Sequence, residues 1–294
     1  MLGELFALLS ALSNSTIGVL TYLSQNSLAS HHLAFYKCFF AFIAAFLYLF
    51  FKGRVHEITD LKPFFPKIAQ LSFLGVFLLS FTQIWAFQLI SIPNVSFLFY
   101  AGTSFAVLGG IIFLGESTRY LKILGSLFTL SGGGLIYSAE ISHLTVGSLG
   151  SALALLSGLS CACFLLLQKH YQIPINLSFL CVFLGFGSLY LSVPFFMWGV
   201  AFPTLLDLPI LLVLSLFPTL YGFFCTIKAL SLTDAGKVQI FEMADPIFAS
   251  FFAYMIFNEQ MTAQEYLGAT TVCLGLFISA WDSQRHSLCT AEAR

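Results

Sequence analysis

FLGESTRYLKILGS, at residues 113–126, returns 143 positions later as IFNEQMTAQEYLGA, at residues 256–269. Glu116 stands opposite Glu259 and Gly125 opposite Gly268, each in an apolar-Glu-polar-polar…Leu-Gly pattern. Upstream, ALLSALS at 7–13 recurs as ALLSGLS at 154–160, an offset of 147. AF at 86–87 and AL at 229–230 open further corresponding stretches at the offset of 143. The chain therefore reads as two related halves, residues 1–140 and 147–282, with a polar tail over 283–294.

Both halves are strongly apolar. Of 294 residues, 59% are hydrophobic and 9% charged, with a mean hydropathy of +0.93. A soluble domain carries roughly 25% charged residues, so a water-facing surface is largely missing. Apolar runs such as 68–90 and 205–227 are long enough to cross a hydrocarbon layer of about 30 Å as helices rising about 1.5 Å per residue. Ten spans are expected: 4–23, 33–51, 68–88, 93–114, 121–139, 147–168, 175–198, 208–227, 237–257 and 264–281. The apolar N-terminal stretch has no positive flank or small-residue cleavage site, so Leu5 onward is expected to be retained as the first helix.

Basic residues orient the array. Lys52, Arg54, Lys62, Lys67, Arg119, Lys122, Lys169, Lys228, Lys237, Arg285 and Arg294 fall in the loops, helix ends and tail on the side of the termini. The opposite loops hold no Lys or Arg, and Lys37 lies inside the second span. The positive-inside rule then places both termini in the cytoplasm. The expected location is a bacterial cytoplasmic (inner) membrane. Five spans per half is an odd number, so the second half enters the membrane upside down. The expected fold is all-α and integral to the membrane, with ten transmembrane helices in two inverted-topology five-helix repeats. That arrangement suits a central site that faces each side in turn.

Several classes are disfavoured. Six cysteines lie within spans and Cys289 in the tail, a spacing that suggests neither a disulfide framework nor a metal site. No cofactor is expected. A net charge of -1, without a basic aromatic patch, does not suggest a nucleic-acid partner. Gly132-Gly133-Gly134 and Gly109-Gly110 lack the Lys-Ser/Thr chemistry of a phosphate loop and read as sites of close helix contact or bending. No histidine lies well inside a span, which counts against an intramembrane enzyme; His31 and His32 fall in a loop and read as an ordinary surface pair.

The ionisable groups at depth are the candidate site, because each is costly to insert into hydrocarbon. In KVQIFEMADP, 237–246, Gln239, Glu242 and Asp245 recur every three residues and share one helix face. Glu242 lies about 8 Å and Asp245 about 12 Å along the span. Two carboxylates so close repel unless a proton, a cation or a positively charged substrate separates them. The alternative readings are an acid near enough to the surface to be solvated, a structural bond to Lys37 or Lys228, and a role in gating alone. Pro246 lacks an N–H and exposes backbone carbonyls that can line a cavity. The first-half counterparts of Glu242 and Asp245 are Phe99 and Gly102, so no acid is required there by the fold. Lys37, the only basic residue placed well within a span, can hold a substrate carboxylate. Further candidate lining residues are Asn14, Ser15, Thr16, Gln83, Trp85, Gln88, Tyr100 and Tyr221. Glu116 and Glu259 cap the hairpins beside the following helices and read as structural.

These motifs resemble the EamA-type members of the drug/metabolite transporter superfamily, and the resemblance covers essentially the whole chain. It rests on LGESTRYLKILG at 114–125 and FNEQMTAQEYLG at 257–268, where Asn258 replaces the family's customary Gly. It extends to Pro246 in ADPIFAS, with Thr103 in the equivalent first-half place, and to Lys37 in FYKCFF as the basic residue of the second span. The resemblance implies a secondary transporter working by alternating access. The expected cargo is a small zwitterionic or cationic metabolite, an amino acid first, with S-adenosylmethionine or a related nucleoside metabolite as the alternative. A channel or non-transporting scaffold is the reading of another class. Expected partners are the substrate, membrane lipid and a coupling proton or counter-substrate, with the protein a monomer or homodimer.

Overall fold

A peptide chain in hydrocarbon must satisfy its own N–H and C=O groups, and the apolar stretches here do so as helices. The structure, a computed structural model, describes residues 2–25, 27–114, 120–141, 145–233 and 235–292. In the first half it has α1 Leu2–Ser24, α2 Ser30–Phe51, α3 Lys62–Phe87, α4 Ile92–Phe113 and α5 Tyr120–Ile141. In the second it has α6 Thr145–Tyr171, α7 Leu177–Met197, α8 Asp207–Leu232, α9 and α10 Ala263–Glu292. Helix α9 comes in two pieces, Ala235–Glu242 and Asp245–Phe257. Among the described residues, eight helices are long and apolar enough to cross a membrane; α5 and α10 are as long but less apolar. Helix α10 continues through residues 283–292, read above as tail.

Two helix ends explain their own sequences. After α2 the chain turns at Gly53, φ 66°, and Arg54 N donates to Leu49 O at 2.9 Å. This is the left-handed stop that glycine adopts without strain. Helix α9 stops in the same way at Asn258, φ 57°, where Glu259 N reaches back to Ala253 O. Asparagine tolerates this conformation better than other non-glycine residues. Asn258 therefore fills a place that a Gly-Glu pair would fill with glycine.

The surface is inverted relative to a water-soluble protein. Phe50, Phe113, Leu189, Phe196, Phe251 and Leu274 are exposed, while Ser10, Ser13, Thr21, Ser24, Ser72 and Ser157 are buried. Lipid accepts the apolar exterior, and small hydroxyl residues let helices approach within it. This is an integral, multi-pass membrane protein.

The packing has an order that survives exchange of the halves. Helix α2 faces α7 and α5 faces α10, while α1 packs on α8 and α9 as α6 packs on α3 and α4. At the α5–α10 crossing, a Cβ on Gly125 would stand 2.6 Å from Gly275 O, and one on Gly132 would stand 2.6 Å from Gly268 O. Backbone meets backbone there. Helices α3 and α8 each widen into a π-turn, at Phe73–Leu78 and Ser215–Tyr221. In each turn a hydroxyl from a neighbouring helix takes one carbonyl, Ser160 bonding Leu74 O and Ser13 bonding Phe217 O.

Candidate functional site

The site begins at the break in α9. In a continuous helix the Glu242 carbonyl would accept from the N–H of residue 246, but residue 246 is proline. The Tyr100 hydroxyl from α4 stands in, 3.2 Å from Glu242 O and 3.1 Å from Asp245 Oδ2. One hydroxyl proton is shared between two acceptors, so Tyr100 bonds the broken turn and the carboxylate together. Glu242 is held separately: Thr226 donates to its Oε1 at 2.7 Å, and the Ser10 and Thr226 hydroxyls are 2.7 Å apart.

A cavity of about 260 Å³ opens beside this junction. Asn14 and Ser15 of α1, Lys37 of α2, Gln83 of α3, Tyr100 of α4 and Asp245 of α9 line it together. The polar groups share the wall with Phe87, Phe99, Phe183 and Phe223. Lys37 is 5% exposed. Among the described residues no ion pair joins Lys37 to an acid, or joins Glu242 or Asp245 to Lys37 or Lys228. The structural bond raised as an alternative is therefore not seen, and a buried ammonium and a carboxylate share one cavity without neutralising each other directly.

Not every candidate enters that cavity. Glu242 lines a second one, of about 340 Å³, which shares Asn14, Phe99 and Tyr100 with the first. Trp85 packs edge-on against Phe81, ring centroids 5.6 Å apart. Gln88 donates to Leu28 O at 3.2 Å, tying the end of α3 to the α1–α2 turn. Thr16 bonds back to Ser13 O in its own helix. Tyr221 stacks on Phe217 at 5.5 Å and is exposed on the outer face. Glu259 accepts from Ile92 N at 3.1 Å, so it caps the first turn of α4 rather than that of α10. Pro246 is buried at the start of the second piece of α9. Gln239 lies on the first piece of α9 with its side chain outside the described residues, and Glu116 lies outside them altogether.

The asymmetry between halves has a packing cause. Gly102, the counterpart of Asp245, sits where α4 crosses α6, and a Cβ there would stand 2.6 Å from Leu155 O. The first half uses this position for a close crossing, and the second uses it for a carboxylate. Sequence reasoning passed over the hydroxyls of Ser80, Ser96 and Thr219, which also line the first cavity. Serine and threonine are common throughout the spans, and nothing in their spacing marks these three.

The profile of the EamA-like transporter family matches residues 1–138 and 148–281. The chain belongs to the EamA-like transporter family. Membership places it among transporters rather than enzymes. A solved structure described as "Crystal structure of protein" superposes with a TM-score of 0.70, covering 96% of this chain and 98% of that one at 13% identity. At that identity the likeness shows the fold and no more. A comparison with curated proteins gives no match.

Proposed function

We propose that this protein is a secondary transporter that carries a small zwitterionic or cationic metabolite, an amino acid first, across the cytoplasmic membrane by alternating access. One observation carries the reading: Lys37 and Asp245 line the same cavity, and neither has an oppositely charged partner among the described residues. A zwitterion supplies both missing charges at once, its carboxylate to Lys37 and its ammonium to Asp245. A buried charge left alone costs far more than one that is paired. The phenyl rings beside them suit an apolar side chain. A volume of about 260 Å³ falls below the ≈300–1,000 Å³ of pockets for drug-sized ligands, which ranks an amino acid ahead of S-adenosylmethionine.

The alternating mechanism rests on ten crossings in two inverted halves. Residues far apart in the chain meet at two common ends. Ser27 bonds Asp207, Tyr36 bonds Ala201 O, Ile92 bonds Glu259, and Asn94 bonds both Glu140 and Glu265 at one end. Glu57 bonds Ser178, and Tyr171 bonds Gln70, at the other. Glu140 at the end of α5 and Glu265 at the start of α10 belong to the first group, which supports full crossings by those two helices as well. The packing order preserved on exchange of the halves supports the inverted repeat. Among the described residues, Lys52, Arg54, Lys62, Lys67 and Lys169 lie toward the Glu57 end, which supports cytoplasmic termini.

The test is counterflow in reconstituted vesicles across amino acids, polyamines, nucleosides and S-adenosylmethionine, with and without a proton gradient. Saturable exchange of zwitterions is expected. A panel with no saturable counterflow for any zwitterion or cation would falsify the proposal.

A further inference from the structure

Along α4 the two cavities are offset: the first touches Ser96 and the second reaches Val107, with Phe99 and Tyr100 common to both. Eleven helical residues span about 16 Å. On α9 the division falls within three residues, Asp245 facing the first cavity and Glu242 and Met243 the second. Asn14 of α1 is the remaining shared wall. The partition thus consists of three side chains, each touching both cavities, and the Tyr100 hydroxyl fastens it to both sides of the α9 break.

The two chambers differ in charge. The first holds an ammonium and a carboxylate. In the second, Glu242 is the sole charged group lining the space among the described residues. Besides the Asn14 amide, the Tyr100 hydroxyl and the Cys161 thiol, the rest of its polar wall is aliphatic hydroxyl: Thr103 and Ser104 of α4, Ser126 and Thr129 of α5, and Ser279 of α10. Thr103, Ser104, Ser126 and Thr129 each donate to a carbonyl of their own helix, which turns the remaining lone pairs of their oxygens toward other partners. A carboxylate that shares its chamber with these acceptor oxygens, with no Lys or Arg among the described lining residues, favours positive charge.

We infer that the second chamber is a separate binding compartment for a small organic ammonium ion, in series with the zwitterion site and divided from it by Tyr100. The inference rests on the transport reading for its place on the pathway, but not for its chemistry. A zwitterion moving from the first chamber leaves Lys37 behind and meets a carboxylate alone, so its own carboxylate opposes entry. An amine without a carboxylate meets no such opposition. The second chamber therefore favours amines over amino acids, and the first favours amino acids over amines.

Radiolabelled tetramethylammonium, with equilibrium dialysis against the purified full chain in detergent, reads this directly. Saturable binding is expected, weakened at least tenfold by Glu242→Gln and by less than twofold by Lys37→Gln. Glu242→Asp, which keeps the charge, retains binding and serves as the control for folding. No saturable binding to the native chain, or equal weakening by Lys37→Gln and Glu242→Gln, overturns the inference. The two readings fail separately. Ammonium binding that depends on Glu242 in a protein lacking zwitterion counterflow keeps the second chamber and removes the first reading. Counterflow in a protein whose tetramethylammonium binding ignores Glu242 does the reverse.

Discussion

Ser13 donates its hydroxyl proton to the carbonyl of Phe217 at 2.6 Å, inside the π-turn of α8. Its counterpart, Ser160 at the end of ALLSGLS, donates to Leu74 O at 2.8 Å, inside the π-turn of α3. Ser13 and Ser160 are 147 positions apart, and Leu74 and Phe217 are 143 apart, the same two offsets that relate the sequence copies. A repeated pair of letters therefore corresponds to a repeated bond, and each bond crosses from one half to the other. The wide turns leave carbonyls without an ordinary helical donor, and these serines supply one.

Removing either donor strands a buried carbonyl. Ser13→Ala and Ser160→Ala should each destabilise the folded protein by about 1–3 kcal/mol, measured by unfolding in detergent. The sites share no partner, so the double variant should lose the sum of the two.

The charges of the first cavity should set selectivity. Lys37→Gln should reduce counterflow of amino acids more than that of the corresponding decarboxylated amines. Asp245→Asn should do the opposite. Each change should be about tenfold or more in kcat/KM, the scale of a lost charge-assisted hydrogen bond. Equal loss for both substrate classes in both variants would count against a two-ended clamp.

Tyr100→Phe keeps the ring and removes the hydroxyl, leaving Glu242 O without its substitute donor beside Pro246. A drop of about five- to tenfold in transport is expected, from a hydrogen bond worth roughly 1–1.5 kcal/mol, with expression unchanged. Tyr100→Leu, which also opens the partition, should be worse than Tyr100→Phe.

At the α5–α10 crossing, Gly132→Ala should abolish folded protein, because its Cβ would meet the Gly268 carbonyl oxygen and Val272 N, neither of which can move aside. Gly134→Ala meets nothing within 4 Å. It should be neutral or stabilising by up to about 1 kcal/mol through helix propensity. Size-exclusion profiles of the two variants provide the comparison.

The loop before α3 should show acid sensitivity. The Arg54 guanidinium donates to Glu57 at 2.6 Å, and with Ser178 it holds the Glu57 carboxyl below its ordinary value. A depressed folded-state value adds stability above the unfolded value, and this is lost as pH falls through the folded one. The melting temperature of the native chain should exceed that of Glu57→Gln at pH 7, and the gap should close on acidification below the normal carboxylate range. Both groups lie at the surface, so the gap is expected to be small and to shrink with salt.

The membrane helices could be read from the chain, and Lys37, Asp245 and Pro246 stood out in it, because charge and proline are costly in a membrane and conspicuous for it. Asn258 became intelligible once its left-handed backbone was seen. The second cavity was not legible. Its wall is serine and threonine, residues that satisfy themselves on their own helix wherever they occur, so position alone does not separate a lining hydroxyl from an ordinary one. Trp85 and Tyr221 misled for a related reason: an aromatic ring serves packing and lipid contact as readily as it serves cargo. Separating Glu242 from Asp245 required knowing that α9 breaks between them, turning two neighbours on one face toward different spaces.

The glycine contact between α5 and α10 has a mechanical corollary. Two backbones pressed together without side chains between them can neither slip past each other nor draw closer, so they form a fixed axle for the bundle. Under the proposed alternating mechanism, the stroke that opens one mouth and shuts the other falls to the irregular helices around that axle: α3 and α8 with their loosened coils, and α9 with its break.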